Sequence, residues 1–514
     1  MARRSNKTRR LPEVRQSSLL DVAPATAPVA KGSKEAVRFE KGDRARLYVG
    51  AIPLEKYLRD GGLKWVLRLA AVLDELDWKH FEASYKPGGR PPLHPARVVG
   101  LIMYGLMLKQ TSLRQLEALA LRDVGAWWVT GGLTPDFTTV TKFIQRHVQV
   151  LSEDFFQQTT ALIVKKLNLT HSDLAMDGTV VQAAASTGSA LTREALEQEK
   201  ESAKKADDTE RLAKLEVASS VLATREAERQ ASGKGGAPQV SPEDPDAVIQ
   251  PQKNSNDHRL AMKPTIAAHP SGLIVGQTVT PASETAAVPT LLEQHEQIFG
   301  AQPARVLADG GFSSGPLLAF FLAKAIEPLI PSGRGTAQKA SRNGLFPKSN
   351  FSWIDEAKSY RCPSGQLMSG GSALRHDRAG REFLLFEGKN CGACPLLAQC
   401  TKAKSKRRRI KRYTGDELKE AMAAVLAQPQ AQRAYRRRAV IVEPVFARLR
   451  QSGLSRFRRT GTRGARLEFA LACVAHNLKL FLWSSRGVFV AVAFTGHPGA
   501  PWSQVALLIA IYEN

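Results

Sequence analysis

Acidic residues are in short supply. The 48 Asp and Glu stand against 73 Lys and Arg, a formal net charge of +25 over 514 residues. A surplus of that size favours a polyanionic partner, most often nucleic acid. Cysteine is scarce too. Five in this length exclude a disulfide-built scaffold, and four of them fall between Cys362 and Cys400, which points to a metal. No apolar run reaches the ~18 residues of a membrane span. The opening Met1-Ala-Arg-Arg-Ser-Asn-Lys7 is basic without an apolar segment of the signal-peptide kind. A cytoplasmic protein with no membrane partner is expected. What is present is ample apolar material: 43% of residues are hydrophobic, enough for a large core.

Composition divides the chain. Residues 1–48 are polar and begin with a basic run, the pattern of a flexible arm that touches DNA without reading it. Residues 49–170 read as an all-helical N-terminal DNA-binding domain. Leu54, Leu58, Val66, Leu69 and Leu73 keep helical spacing, and Pro87-Gly-Gly-Arg-Pro-Pro-Leu-His-Pro95 and Gly131-Gly-Leu-Thr-Pro135 break it. Short helices around tight turns suit a helix-turn-helix-like unit, and a plain helical bundle equally well.

From residue 171 the pattern changes to strands. Leu174-Ala-Met-Asp-Gly-Thr-Val-Val-Gln182 reads as a buried strand with Asp177 set into it, and Gly178 relaxes the backbone beside the carboxylate. A helical and linker insertion follows over 187–257. The strand pattern then resumes as a hairpin, 260–268 and 273–280, around His269-Pro-Ser-Gly272. Next come a helix over 285–299, a strand Arg305-Val-Leu-Ala-Asp309, a helix over 315–324 and a strand over 327–330. The resulting expectation is an α/β fold with a mixed sheet for the first part of the domain, 171–334. Residues 335–412 form a cysteine-rich insertion, 413–485 supply final helices, and the apolar tail 486–514 stays unassigned.

An acid buried in an apolar run is costly unless it is paired or holds a metal. Asp177 and Asp309 both sit at strand positions followed by glycine, and Glu443 lies in Ala439-Val-Ile-Val-Glu-Pro-Val-Phe446, within an arginine-rich helix. Three such carboxylates can hold two Mg²⁺ about 4 Å apart, which activate water or a 3′-OH and stabilise the leaving oxygen of a phosphodiester. Cys362, Cys391, Cys394 and Cys400 suit a closed structural Zn²⁺ site, with Cys391-Gly-Ala-Cys394 as its close pair. Cys473 reads as core. The basic residues Lys406, Arg407, Arg408, Arg409, Arg437, Arg438 and Arg450 flank these sites, where phosphates would lie. His94, His147, His258 and His476 read as structural or surface groups.

Several stretches, in order, carry a family resemblance. They are Gly89-Arg-Pro-Pro-Leu-His-Pro95 with Leu101-Ile-Met-Tyr-Gly105, Thr134-Pro-Asp-Phe-Thr138, Met176-Asp-Gly-Thr179, Ala308-Asp-Gly-Gly-Phe312, Val442-Glu-Pro-Val-Phe446 and Ala475-His-Asn-Leu-Lys479. Over roughly Val49 to Leu482 the chain resembles bacterial insertion-sequence transposases of the DDE type. The resemblance implies a ribonuclease-H-like catalytic domain with Asp177, Asp309 and Glu443 as ligands of two Mg²⁺ or Mn²⁺ ions. It implies cleavage of double-stranded DNA at the terminal inverted repeats of an element and strand transfer into target DNA. It also implies a homodimer on DNA and a nucleoid-associated location. Tyr435 and Arg438 stand one residue upstream of the family's spacing to the Glu, Arg450 replaces a Lys, and Glu468 is the reserve acid. Two alternatives are a metal-dependent nuclease on the same fold, and an inactive zinc-containing DNA-binding relative.

Overall fold

The computed structural model describes residues 37–232, 236–251, 257–333, 344–377 and 380–483. The tail beyond 483 and the basic run at the start of the arm lie outside the described residues. Residues 37–48, expected within a free arm, lie along the helical region: the Phe39 ring meets Tyr85 edge-on at 5.3 Å, and Arg44 Nε donates to the Trp128 carbonyl at 2.7 Å. A small hairpin, β1 (Tyr48–Val49) and β2 (Ile52–Pro53), leads into the helices.

The helices between Leu54 and Lys166 follow the apolar spacing, and several of them start at side-chain caps that the sequence supplies. Ser112 and Gln115 make a reciprocal capping box at Leu113–Arg122, Asp123 caps Val124–Thr130, and Asp136 caps Phe137–Arg146. The buried faces of Lys64–Asp74, Pro95–Met107 and Asp154–Lys166 belong to one apolar core that continues into the sheet.

That sheet is built around one long strand. β3 (Asp173–Gly178), β4 (Val181–Gln182), β5 (Val248–Pro251), β6 (His258–Ala268), β7 (Ile274–Thr280), β8 (Arg305–Leu307) and β9 (Glu327–Leu329) form seven strands. β6 pairs antiparallel with β3 and β4 along one edge and with β5 and β7 along the other. β8 adds parallel to β3, and β9 parallel to β8. The β6–β7 turn closes with Gly272 at φ +84°, a conformation that costs other residues strain. The insertion forms a helical hairpin, Arg193–Lys205 and Thr209–Ser232, with its own small core of Leu196, Leu215 and Leu222. Its exit is fastened to the last helix: Asp244 and Asp246 accept the Gly461 and Thr462 amides at 3.0 and 2.7 Å.

Among the final helices, Asp416–Ala427 and Pro429–Gln451 are separate; Gln428 is extended and Pro429 opens the second. The final helix, Gly461–Trp483, packs on β7 and on Pro95–Met107, Val148–Ser152 and Asp154–Lys166. It buries Leu467, Phe469, Cys473, Val474 and Leu478. Asn477 joins both sides. Its Oδ1 accepts the Ile274 amide at 2.9 Å, and its Nδ2 donates to the Ile274 carbonyl and to Thr160 Oγ1 at 2.8 and 3.1 Å. The neighbouring His476 donates from Nε2 to the Gly272 carbonyl at 3.0 Å. Among the described residues no helix is long and apolar enough to cross a membrane.

The cysteine region has separate architecture. β10 (Ser352–Ile354) and β11 (Ser359–Arg361) form a hairpin, and β12 (Ser369–His376), β13 (Glu382–Glu387) and β14 (Arg409–Tyr413) a three-stranded sheet. Phe351, Tyr360, Met368, Phe386 and Ile410 make a core distinct from the main one.

Candidate active site

Register brings the two aspartates together. Ala175 of β3 lies opposite Leu307 of β8 in a parallel pair, and Asp177 and Asp309 each follow that pair by two residues. Adjacent parallel strands sit about 4.8 Å apart, so both carboxylates leave the carboxyl ends of neighbouring strands. Asp177 is still within β3. Asp309 lies beyond β8 and caps the turn Gly310–Phe312, its Oδ1 accepting the Gly311 amide at 2.8 Å.

The Pro429–Gln451 helix lies alongside and closes the site. Arg437 Nη1 donates to Asp173 Oδ2 at 2.9 Å, and Asp173 also pairs with Arg305, which pairs with Glu327. These last three residues are register partners at the amino ends of β3, β8 and β9, so the charge ladder pins the helix to the sheet. One residue on, Arg438 Nη2 pairs with Asp177 Oδ1 at 2.8 Å. Glu443, Phe446 and Arg450, spaced three and four apart, share a helix face. With Asp177, Thr179, Glu284, Asp309 and Arg438 they line one open cleft of about 780 Å³. Arg450 Nη2 donates to Thr179 Oγ1 at 3.3 Å.

The electrostatics follow from burial. Desolvation pushes the Asp177 carboxyl up to about 6; Arg438 opposes this, while Asp309 and Glu284 add repulsion. Oxygen donors from carboxylates are the ligand set that hard divalent cations take, and a cation here would relieve the repulsion on Asp177. Among the described residues, no three His, Cys, Asp or Glu side chains are drawn together tightly enough to hold a metal ion as they stand. The acids converge on one cleft without touching, so the fit rests on donor chemistry and convergence.

Glu284 escaped the sequence reading, since Pro281-Ala-Ser-Glu-Thr285 looks like an ordinary helix start. A signal existed in Lys263, a lone cation in the apolar strand Leu260–Ala268, which needs a counter-ion; that counter-ion is Glu284 at 2.7 Å. Gly178 also has another reason than the one expected. Its backbone is not left-handed; a methyl group there would lie 2.5 Å from Glu284 Cγ. Glu468, the reserve acid, accepts the Arg458 and Arg459 amides and stays out of the cleft.

The four cysteines lie around one small pocket but, like the acids, are not drawn together tightly enough to hold a metal ion as they stand. Cys362, Cys391, Cys394 and Cys400 line one pocket of about 20 Å³, and none is disulfide-bonded. Burial raises the Cys400 thiol, Arg408 opposes this, and the other three cysteines reinforce it. Burial also pushes Cys362 up, but hydrogen bonds from Ser364 and Gln366 outweigh it and its thiol is net lowered. The volume suits a single small occupant, and four sulfurs suit zinc.

The basic residues separate by position. Arg438 and Arg450 line the cleft, and Arg437 belongs to the ladder that holds the helix. Arg408 donates to the Cys400 and Phe346 carbonyls at 3.0 and 2.9 Å, within the cysteine region. Arg407 and Arg409 reach Glu387 at 3.7 and 3.0 Å, and with Lys406 they are exposed. His94 caps the Pro95–Met107 helix, and His147 makes tilted ring contacts with Phe81, Tyr85 and Phe143.

Residues 361–482 match the model of a transposase DDE domain, and residues 63–146 match that of a transposase domain (DUF772). Two segments of the chain are thus similar to transposase domains, the later one of the DDE kind. Such a domain implies divalent-metal use, and transposases act on DNA. Glu443 and all four clustered cysteines lie inside the first match; Asp177 and Asp309 lie outside both and reach Glu443 through the fold. No curated protein sequence matches the chain.

Proposed function

We propose that this chain cleaves double-stranded DNA at element ends and transfers the freed 3′ end into target DNA. Asp177, Asp309 and Glu443 serve as the catalytic carboxylates. The observation that carries the reading is the convergence of these three acids, from elements 266 residues apart in sequence, on one cleft that Arg438 and Arg450 also line. The strand order β7–β6–β3–β8–β9, with β6 reversed, supports a ribonuclease-H-like sheet.

Two Mg²⁺ or Mn²⁺ ions held by the three acids would supply an activated oxygen nucleophile and stabilise the leaving oxygen. The chain's own residues do the rest. Asp309 is fixed by the Gly311 amide and presents its carboxylate at the strand end. Arg438 balances Asp177 within the partly dry cleft, and Arg450 offers a guanidinium to a phosphodiester oxygen. Thr179 orients Arg450. Lys406, Arg407 and Arg409, exposed on the cysteine region, contact the DNA backbone. The same reading assigns residues 49–170 to DNA binding, gives the four cysteines a structural zinc, and pairs two copies on chromosomal DNA in the cytoplasm.

A strand-transfer assay with a labelled, pre-cut element end and Mg²⁺ tests this. Joined product is expected, with at least about a hundredfold loss in Asp309→Asn. Binding to DNA should fall steeply with salt. Cleavage without joining would favour a nuclease. Product that is unchanged in Asp309→Asn, or binding indifferent to salt, would sink the reading.

A further inference from the structure

We infer that Glu284 is a fourth metal-facing carboxylate of the cleft, and that Lys263 is a positioning residue that restrains it. The inference rests on the metal-dependent reading of this cleft.

Geometry carries it. Glu284 stands between the two aspartate-bearing segments. A methyl group on Gly178 would lie 3.0 Å from Glu284 Oε1, and one on Gly311 would lie 3.4 Å from Glu284 Oε2 and 2.9 Å from Asp309 Oδ1. Gly178 thus leaves the room this side chain fills, while Gly311 leaves room for Asp309 Oδ1, with Glu284 Oε2 at ordinary contact distance from the same point. Lys263 Nζ donates to Oε1, while Oε2 faces the space shared with Asp309 Oδ1. Both partners are largely shielded, with side-chain exposures of 25% and 17%.

The framework fixes both ends of the pair. Lys263 is on β6, opposite Thr280 at the end of β7. Thr280 Oγ1 donates to the Ser283 carbonyl at 2.8 Å, which closes the turn that delivers Glu284. A structural ion pair would satisfy Lys263 alone. It would not explain why the second oxygen and Asp309 Oδ1 face one shared space beside Gly311. Affinity for a hard divalent ion rises with the number of carboxylates that face it. Lys263 cancels part of that charge, so the two residues act on the ion with opposite sign.

Titration of the full chain with Mn²⁺, followed by the rise in unfolding temperature, reads metal affinity without turnover. Glu284→Gln should raise the half-saturating Mn²⁺ concentration about tenfold. Lys263→Met should lower it, and Glu284→Asp should recover part of the loss. A merely structural pair predicts that Glu284→Gln and Lys263→Met both lower the metal-free unfolding temperature and leave the Mn²⁺ midpoint alone. That result overturns the inference, as does a Lys263→Met midpoint that moves upward. Should Glu284→Gln fail to fold, the opposite shifts expected of Lys263→Met and Glu284→Asp still decide. Asp309→Asn is the control. Loss of its Mn²⁺ response beside an unchanged Glu284→Gln midpoint defeats this inference only. An unchanged Asp309→Asn response defeats the metal reading of the whole cleft.

Discussion

The carboxylate cleft and the cysteine region are assembled over opposite length scales. The cleft draws on β3, the turn after β7, the end of β8 and the Pro429–Gln451 helix, and it exists only where one continuous core holds those elements in register. The cysteines fall within 39 residues, and the strands around them have a five-residue core of their own. A site of the first kind needs no ligand to keep its shape, because packing elsewhere fixes it. A site of the second kind has little apolar material to rely on, and on the proposed reading a zinc ion would supply part of its stability.

The largest test of that contrast is Cys391→Ser, or treatment with a chelator that would remove the proposed zinc. Either should expose β10 to β14 to proteolysis and leave the seven-stranded sheet protected. Equal protection with and without chelator would mean that Phe351, Tyr360, Met368, Phe386 and Ile410 suffice. Next in size is Asn477→Ala, which attacks the long-range side. It would strip hydrogen bonds from the buried Ile274 amide and carbonyl at a cost of about 3 kcal/mol. Urea unfolding should show the loss in the sheet and the N-terminal helices together; separate transitions would divide the core.

The smallest effect is a pH slope. Burial pulls His476 and His269 down to about 4, against partial opposition from the Gly272 and Thr170 carbonyls. Unfolded histidine takes a proton near 6.5. The unfolded chain therefore binds more protons between about 6.5 and 4. Stability is fully present above that window and falls as pH drops through it, by up to about 1.4 kcal/mol per unit for each histidine. His476→Gln should flatten the acid limb of the urea midpoint against pH. An unchanged limb would mean that this histidine is protonated in place.

The contrast also explains what could be read from residues alone. The order of strands and helices between 171 and 330 was legible because the buried strands are short, mainly apolar stretches separated by turn residues such as His269-Pro-Ser-Gly272 and Gly310-Gly311. Asp177 and Asp309 stood out as acids at the ends of such runs. The cysteine region hid its strands. In Arg409-Ile-Lys-Arg-Tyr413 only Ile410 is an aliphatic core residue, and the run reads as solvated charge. Arg412 takes the place of an inward apolar residue by stacking 3.9 Å over Trp353 and pairing with Glu420, which no alternation pattern reveals. Glu284 was invisible for another reason. Its neighbours in sequence are unremarkable, and its partners, Lys263 and the space beside Asp309, are set by strand register.

The last helix has a consequence in time as well as in space. Gly461–Trp483 fills the joint between the N-terminal helices and β7, and its amino end is held by Asp244 and Asp246. Contacts this distant in sequence form late and slowly. A chain emerging from the ribosome carries both aspartates long before it carries the element that locks their sheet. Until residue 483 has been made, the bundle and the sheet each present an open apolar face. Co-translational folding should therefore give a protein that depends on chaperones early and becomes competent abruptly.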